Sequence, residues 1–242
     1  MTLRTRPHAT RSRRLAALLV VGVSALALTS CGGDDKSVAH GRSPEQVLAL
    51  AAKTLDETSG VQIQLAAKEL PSGVQGIEEA SGVGTHPAAF DGKITVSLSG
   101  QSFDVPVVAV DGKVYAQIPL TPGWQDVDPT DYGAPDPAQL MSADKGFSSL
   151  LGATTHVEQG DSVRGGKDNK EVLTEYTGTV PGTAVKNVIP SASGDFRATY
   201  TISADGELRE AALTGAFYPS SESMTYTIGF DDYGTQKDIT AP

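Results

Sequence analysis

The sequence predicts an α+β fold, a single antiparallel sheet with several helices packed against one face. Three observations carry that prediction. Near the C-terminus, Phe196, Ala198, Tyr200 and Ile202 alternate strictly with Arg197, Thr199, Thr201 and Ser203, and Met224, Tyr226, Ile228 and Phe230 repeat the pattern. Strands with one dry and one wet face belong to antiparallel sheets. Asp111-Gly112 and Asp205-Gly206 are hairpin turns between such runs. A helical apolar period is clear only early in the chain, before the strands begin.

The chain opens with Arg4, Arg6, Arg11, Arg13 and Arg14, followed by an apolar run from Leu15 to Leu28 and small residues. These are the parts of a secretory signal peptide, and the run is too short for a comfortable transmembrane helix. The segment ends in Leu28-Thr29-Ser30-Cys31, which resembles a bacterial lipobox, and Cys31 is the only cysteine of the 242 residues. The resemblance implies that residues 1–30 are cleaved and that Cys31 carries acyl chains anchoring the protein to the outer face of the cell membrane. Ser12-Arg13-Arg14-Leu15 is a poor twin-arginine signal, so both that route and Sec stay open. Residues 31–42 read as a lipidated cysteine and a polar, disordered tether.

Ser43-Pro44-Glu45-Gln46 supplies an N-cap, a first-turn proline and a capping-box glutamine. Val47, Leu48, Ala51, Ala52 and Leu55 then share a face, which predicts a helix over 43–59 with Gly60 as its left-handed stop. Val61, Ile63, Leu65 and Ala67 change the period to two and begin a strand. Pro71 to Pro87, rich in Gly and Ser, reads mostly as a long mobile loop. A meander follows: Ile94, Val96 and Leu98; Val105, Val107, Val108 and Val110; then Val114, Ala116 and Ile118, ending at Trp124. Short helices are expected after Asp136-Pro137, after Asp144, and between Pro181 and Pro190. Strands return around 154–159, 171–180, 196–203, 207–216 and 224–230. Nothing divides 43–242, which reads as a single domain.

Removing residues 1–30 takes away five of 19 basic residues and none of the 29 acidic ones, moving the formal net charge from −10 to −15. That sign argues against nucleic acid and against charge-driven docking on an anionic bilayer. No second thiol exists for a disulfide. His40, His86 and His156 lack ligand spacing, and no nucleophile elbow or phosphate loop is present. Asp126-Val127-Asp128-Pro129-Thr130-Asp131 lacks the glycine and glutamate of a calcium loop and reads as a solvated acidic turn. No cofactor, metal site or catalytic centre is expected.

Several of these features together resemble the actinobacterial LppX/LprG-type cell-envelope lipoproteins (LppX/LprAFG). They are the lipobox, the early helix, Ile94–Leu98 followed by Asp111-Gly112-Lys113-Val114-Tyr115-Ala116, Trp124 with Asp126, Asp136-Pro137-Ala138-Gln139-Leu140 and Asp144-Lys145-Gly146 with Leu150-Leu151. The resemblance implies a strongly curved antiparallel half-barrel with helices on its concave face around an apolar cavity. It implies a non-enzymatic carrier of a diacyl or triacyl lipid or glycolipid through the envelope, with a membrane lipid exporter as a partner. The expected cavity lining is Ile94, Val96 and Leu98, then Val61, Ile63 and Leu65. Small inward residues (Ala67, Ala116, Ala198, Ala212) favour a void. The periodicity itself leaves a filled core open, in an accessory lipoprotein that binds a protein or polysaccharide through its acidic surface and the segment 71–87.

Overall fold

Helix α1, Pro44–Glu57, starts where its capping residues place it: the Ser43 side chain accepts from the Gln46 N–H at 3.4 Å and the Gln46 side chain accepts from the Ser43 N–H at 3.0 Å. Ser43→Ala removes half of this reciprocal cap and is expected to cost about 1 kcal/mol, read as a lower urea midpoint at unchanged slope. The helix does not stop on a left-handed glycine. Its cap, Thr58, is extended (φ −70°, ψ 144°), and Gly60 is already the first residue of a strand. A Cβ at Gly60 would stand 2.6 Å from the Thr235 carbonyl oxygen and 2.9 Å from that of Gly84. The glycine serves close backbone approach.

The computed structural model describes residues 37–242 except Gly133 and Ser220; residues 1–36, which include the expected signal peptide and Cys31, lie outside the described residues. Ser37–Arg42, expected to belong to the tether, is instead a turn bound to the domain. The Val38 N–H donates to the Ala204 carbonyl at 2.9 Å, and Ala39 packs against the core. Its short apolar pair finds a partner surface that composition does not reveal.

Eleven strands form one sheet: β1 (Gly60–Ala67), β2 (Gly76–Thr85), β3 (Ala89–Leu98), β4 (Gln101–Val110), β5 (Lys113–Ala116), β6 (Gln125–Val127), β7 (Thr155–Gly165), β8 (Glu171–Val180), β9 (Ser193–Ser203), β10 (Leu208–Ala216) and β11 (Met224–Asp231). The order is β6-β5-β4-β3-β2-β1-β11-β10-β9-β8-β7, with every pairing antiparallel. Pairing of β1 with β11, Leu65 opposite Ile228, joins the two halves of the chain. The sheet does not close, and β6 and β7 are its edges.

The strand β2 replaces most of the expected loop over 71–87. Its inward positions are Ala80, Gly82 and Gly84, so no apolar alternation marks it. The space above them is taken by neighbours: a Cβ at Gly82 would lie 2.6 Å from the Phe90 ring, and one at Gly84 2.7 Å from Met141. Another departure comes from a bulge between Leu208 and Glu210, which shifts parity so that Ala211 and Leu213 point inward and Ala212 does not.

Helices α2 (Phe147–Ala153) and α3 (Gly182–Val188), with α1, cover the concave face. Asp136 caps the 3₁₀ helix Pro137–Met141, its carboxylate accepting from the Ala138 N–H at 2.9 Å. Helix α2 is preceded by Gly146 rather than capped by Asp144. Val47, Leu48, Ala51 and Leu55 of α1 meet Phe147, Leu150 and Leu151 of α2 and Val185 of α3 in the main core, over Tyr200, Ile202 and Leu213 of the sheet.

Tyr200 is fully buried, its hydroxyl 2.9 Å from that of Thr154, and burial pushes its phenol up from 10.0 to about 12. Burial also raises Tyr233, whose hydroxyl donates to the Leu208 carbonyl at 2.9 Å. Below the unfolded value of about 10 both states keep these phenols neutral. Above it the unfolded chain ionises while the folded one resists, so stability falls as pH rises from there. Urea midpoints measured at pH 8 and pH 11 should show the loss, and Tyr200→Phe should reduce it.

Candidate functional site

Beneath the first eight strands in sheet order lies a cavity of about 390 Å³. Val127, Val114, Val105, Ile94, Ala80, Ile63, Ile228 and Leu213, one from each strand from β6 across to β10, all line it. Eight flat strands would spread over about 34 Å at ~4.8 Å per step, too wide to surround one void. The sheet therefore curves strongly around it. The helical layer supplies Leu140, Phe147, Leu150, Val188 and Ile189. The filled-core alternative does not describe this half of the fold.

Of the six residues expected at a cavity, Ile94, Val96, Leu98, Ile63 and Leu65 border this one. Val61 does not; it lies two residues nearer α1 on the same face of β1 and is fully buried in the main core. Sequence reasoning missed Phe103, although it shares the parity of Val105 and Val107. It also missed Ile118, which continues the alternation of Val114 and Ala116, and Pro119, Pro135, Phe217 and Tyr218, which come from connections without period.

The lining grows more exposed toward the β3–β4 turn. Phe90 and Val107 are buried, Ile94, Val96 and Phe103 half-buried, and Leu98 is 40% exposed. Beyond Pro119, Leu120 has a left-handed φ of 68° and stands wholly in solvent. The cavity thus opens at an apolar rim.

Polar groups in the lining are few: Gln75, Asp131, Tyr218 and Tyr226. The two tyrosines close a ring of hydrogen bonds with one residue of β2. The Ile77 N–H donates to Tyr218 Oη (3.2 Å), the Tyr218 hydroxyl to Tyr226 Oη (2.7 Å), and the Tyr226 hydroxyl to the Ile77 carbonyl (2.6 Å). Each tyrosine hydroxyl and both Ile77 backbone groups are satisfied, beyond the point where β1 pairs with β2 at Ala66 and Glu79. Gly76 lets the Tyr218 hydroxyl approach, since a Cβ there would collide with it. Burial, with Tyr218 beside it, pushes Tyr226 far up, keeping its hydroxyl a neutral donor. A wall like this makes almost no directional demand on a guest, which it would hold by removing apolar surface from water at ~25 cal/mol per Å².

His40 and His156 face solvent, and His86 and the acidic turns hold the fold. His86 Nδ1 lies 2.7 Å from the Thr58 carbonyl and donates to it. Asp126 pairs with Lys113 at 2.7 Å, and Asp128 accepts from the Thr130 N–H and hydroxyl at 2.9 and 2.6 Å.

A family profile described as LppX_LprAFG lipoprotein matches residues 43–240. The chain belongs to that family. Among its relatives is the lipoarabinomannan carrier protein LprG of Mycobacterium tuberculosis and of Mycobacterium bovis, 28% identical over 245 residues that cover 95% of both chains. Two crystal structures share the fold. LprF from Mycobacterium bovis superposes with a TM-score of 0.65 at 14% identity, covering 82% of this chain and 96% of its own. LppX from Mycobacterium tuberculosis gives 0.58 at 16% identity, covering 81% and 98%. The curved open sheet with its helical layer is thus a fold shared with LprF and LppX, and the family to which the chain belongs is one of lipoproteins.

Proposed function

We propose that this protein is a lipid carrier that buries the acyl chains of a diacyl or triacyl lipid or glycolipid in its cavity and moves it through the cell envelope. The observation that carries the reading is the cavity itself: eight strands bend around a void whose wall is almost wholly aliphatic, aromatic or proline. A filled core would be more stable, since every void forfeits packing contacts. A fold that retains one has a use for it, and the resemblance to a named carrier, LprG, supplies the use.

Cys31 is the proposed site of acylation and holds the protein on the outer face of the cell membrane, where two chains anchor and one would not. The domain over 43–242 does the binding, and a membrane lipid exporter is the proposed source. No residue of the cavity is given a catalytic role.

Mass spectrometry of an organic extract of the purified protein tests the reading. Diacyl or triacyl species are expected at near one per chain, and their absence would refute it. Cys31→Ala should release the protein to the soluble fraction with its extractable lipid intact. Loss of that lipid together with the anchor would show that the two cannot be separated.

A further inference from the structure

Leu98, Leu120 and Val172 are the large apolar side chains left exposed among the described residues, and two of the three belong to the cavity mouth. Leu98 lines the opening, and Leu120 follows directly on Ile118 and Pro119, which line it too. The backbone gains nothing from a leucine at 120. The Thr121 N–H donates to the Ile118 carbonyl at 3.1 Å, closing a turn with Pro119 in second place and Leu120 in third. A positive φ there, 68°, is the type II pattern that glycine or asparagine normally fills.

This end of the sheet is also poor in charge. The connections β1–β2, β3–β4 and β5–β6 all lie on it, at two-strand intervals of about 10 Å. Residues 70–77, 97–103 and 117–124 contain no Asp, Glu, Lys, Arg or His, although 20% of the chain is charged. Asp104, next along β4, is on the outer face and paired with Lys93 at 2.8 Å. Charge resumes at Lys68, Glu69 and Glu222, on the β1 and β11 side. The opposite end of the same sheet carries Asp111, Asp205, Glu207, Asp231 and Asp232. Trp124, the only tryptophan, closes the third uncharged stretch and is half-buried.

We propose that the mouth docks on a lipid surface, with Leu98 and Leu120 buried among the lipids and Trp124 at headgroup level, where an amphipathic ring is at home. A protein partner would need a face of roughly 800 Å² with hydrogen bonds spread across it. Three loop tips in a row offer no such continuous face. A bilayer accepts protruding side chains without matched donors, and an acyl chain crossing from one to the other would stay out of water. With no basic side chain in the three stretches and an acidic chain behind them, the contact is apolar and owes nothing to anionic headgroups. Its use in passing lipid rests on acyl chains occupying the cavity; the contact itself does not.

The test uses residues 31–242 with Cys31→Ala, which hold the whole sheet and its helices without an acyl anchor, stripped of bound lipid. Co-sedimentation with phosphatidylcholine vesicles measures binding, and brominated phosphatidylcholine quenches Trp124 if its loop enters the bilayer. Binding and quenching are expected, with no gain from added phosphatidylglycerol and no loss in high salt. Leu120→Asn suits the left-handed turn, so it should keep or raise the melting temperature while weakening binding about tenfold, the effect of withdrawing one leucine from apolar surroundings. Leu120→Gly, free in the same turn, should do the same, and adding Leu98→Ser should abolish sedimentation. No vesicle binding, binding that needs phosphatidylglycerol, an unquenched Trp124 or binding unchanged by the Leu120 variants would each overturn the docking surface. Dimers that Leu120→Asn dissolves, without vesicle binding, would overturn it in favour of a second copy of the chain. None of these outcomes depends on what the cavity holds, which the organic extract reads separately, so failure of the docking surface and failure of the carrier are distinguishable.

Discussion

Ile94→Trp is expected to remove most of the lipid that co-purifies with the protein while leaving the fold intact. Ile94 sits in the middle of β3, opposite Ala80 on one side and Val105 on the other, with all three side chains on the cavity wall. An indole there projects into a void of about 390 Å³ and narrows it where β3 forms the wall. Enlarging a side chain in a filled core usually costs about 1–3 kcal/mol in strain. Here the added atoms enter open space, so circular dichroism and the melting temperature of lipid-free protein should hold or rise. Ile94→Ala is the matching control, enlarging the void and keeping the loading. Equal lipid in the Trp variant and the unmodified protein, measured by native mass spectrometry of protein released from its anchor, would mean that the guest does not lie against β3.

Phe217→Ala should have the largest effect on stability, a loss of about 3–5 kcal/mol. Phe217 is 1% exposed and stands between two aromatic partners, Phe196 and Tyr226, with centroids 4.8 Å away from each and both contacts edge-on. It belongs at once to the main core and to the cavity wall. Truncation therefore joins the void to the core and also loosens Tyr226, which the hydroxyl ring ties to β2. A bound lipid fills part of the new space and favours the native state by linkage. The loss measured by urea should accordingly be smaller for loaded protein than for delipidated protein. A loss under about 1 kcal/mol would show that the wall collapses onto the gap, and cavity-based costs of the usual size would not apply to this site.

The sequence was most legible where one strand face is wet and the other dry. Phe196 to Ser203, Met224 to Phe230 and the meander around Asp111-Gly112 are where alternation places them, and Ser43 with Gln46 marks the start of α1 in the structure as in the sequence. β2 was hidden because its inward glycines are filled by side chains from elsewhere, Phe90 and Met141, which no local pattern records. Bulges between Ile77 and Glu79 and between Leu208 and Glu210 change which residues face inward, and this misplaced Ala212. The curvature and the cavity came through family resemblance. They depend on the β1–β11 pairing, which joins residues far apart in the chain, and on where side chains fail to meet. Val61 and Ile63 look equivalent in the sequence, and only the position of α1 puts one in the core and the other at the void.

The Val38–Ala204 hydrogen bond has a bearing on orientation. If the acyl anchor is on Cys31, six residue steps separate it from Ser37, a leash of at most about 20 Å. Ala204 lies in the turn from β9 to β10, at the end of the sheet where β1 begins. The β3–β4 turn with Leu98 and the apolar rim lies at the other end, up to a strand length of about 33 Å away. A domain moored this closely would turn its opening away from the bilayer that holds it. Receiving lipid from that bilayer would then require the whole domain to tip over, whereas delivery to a layer farther out would need no rotation.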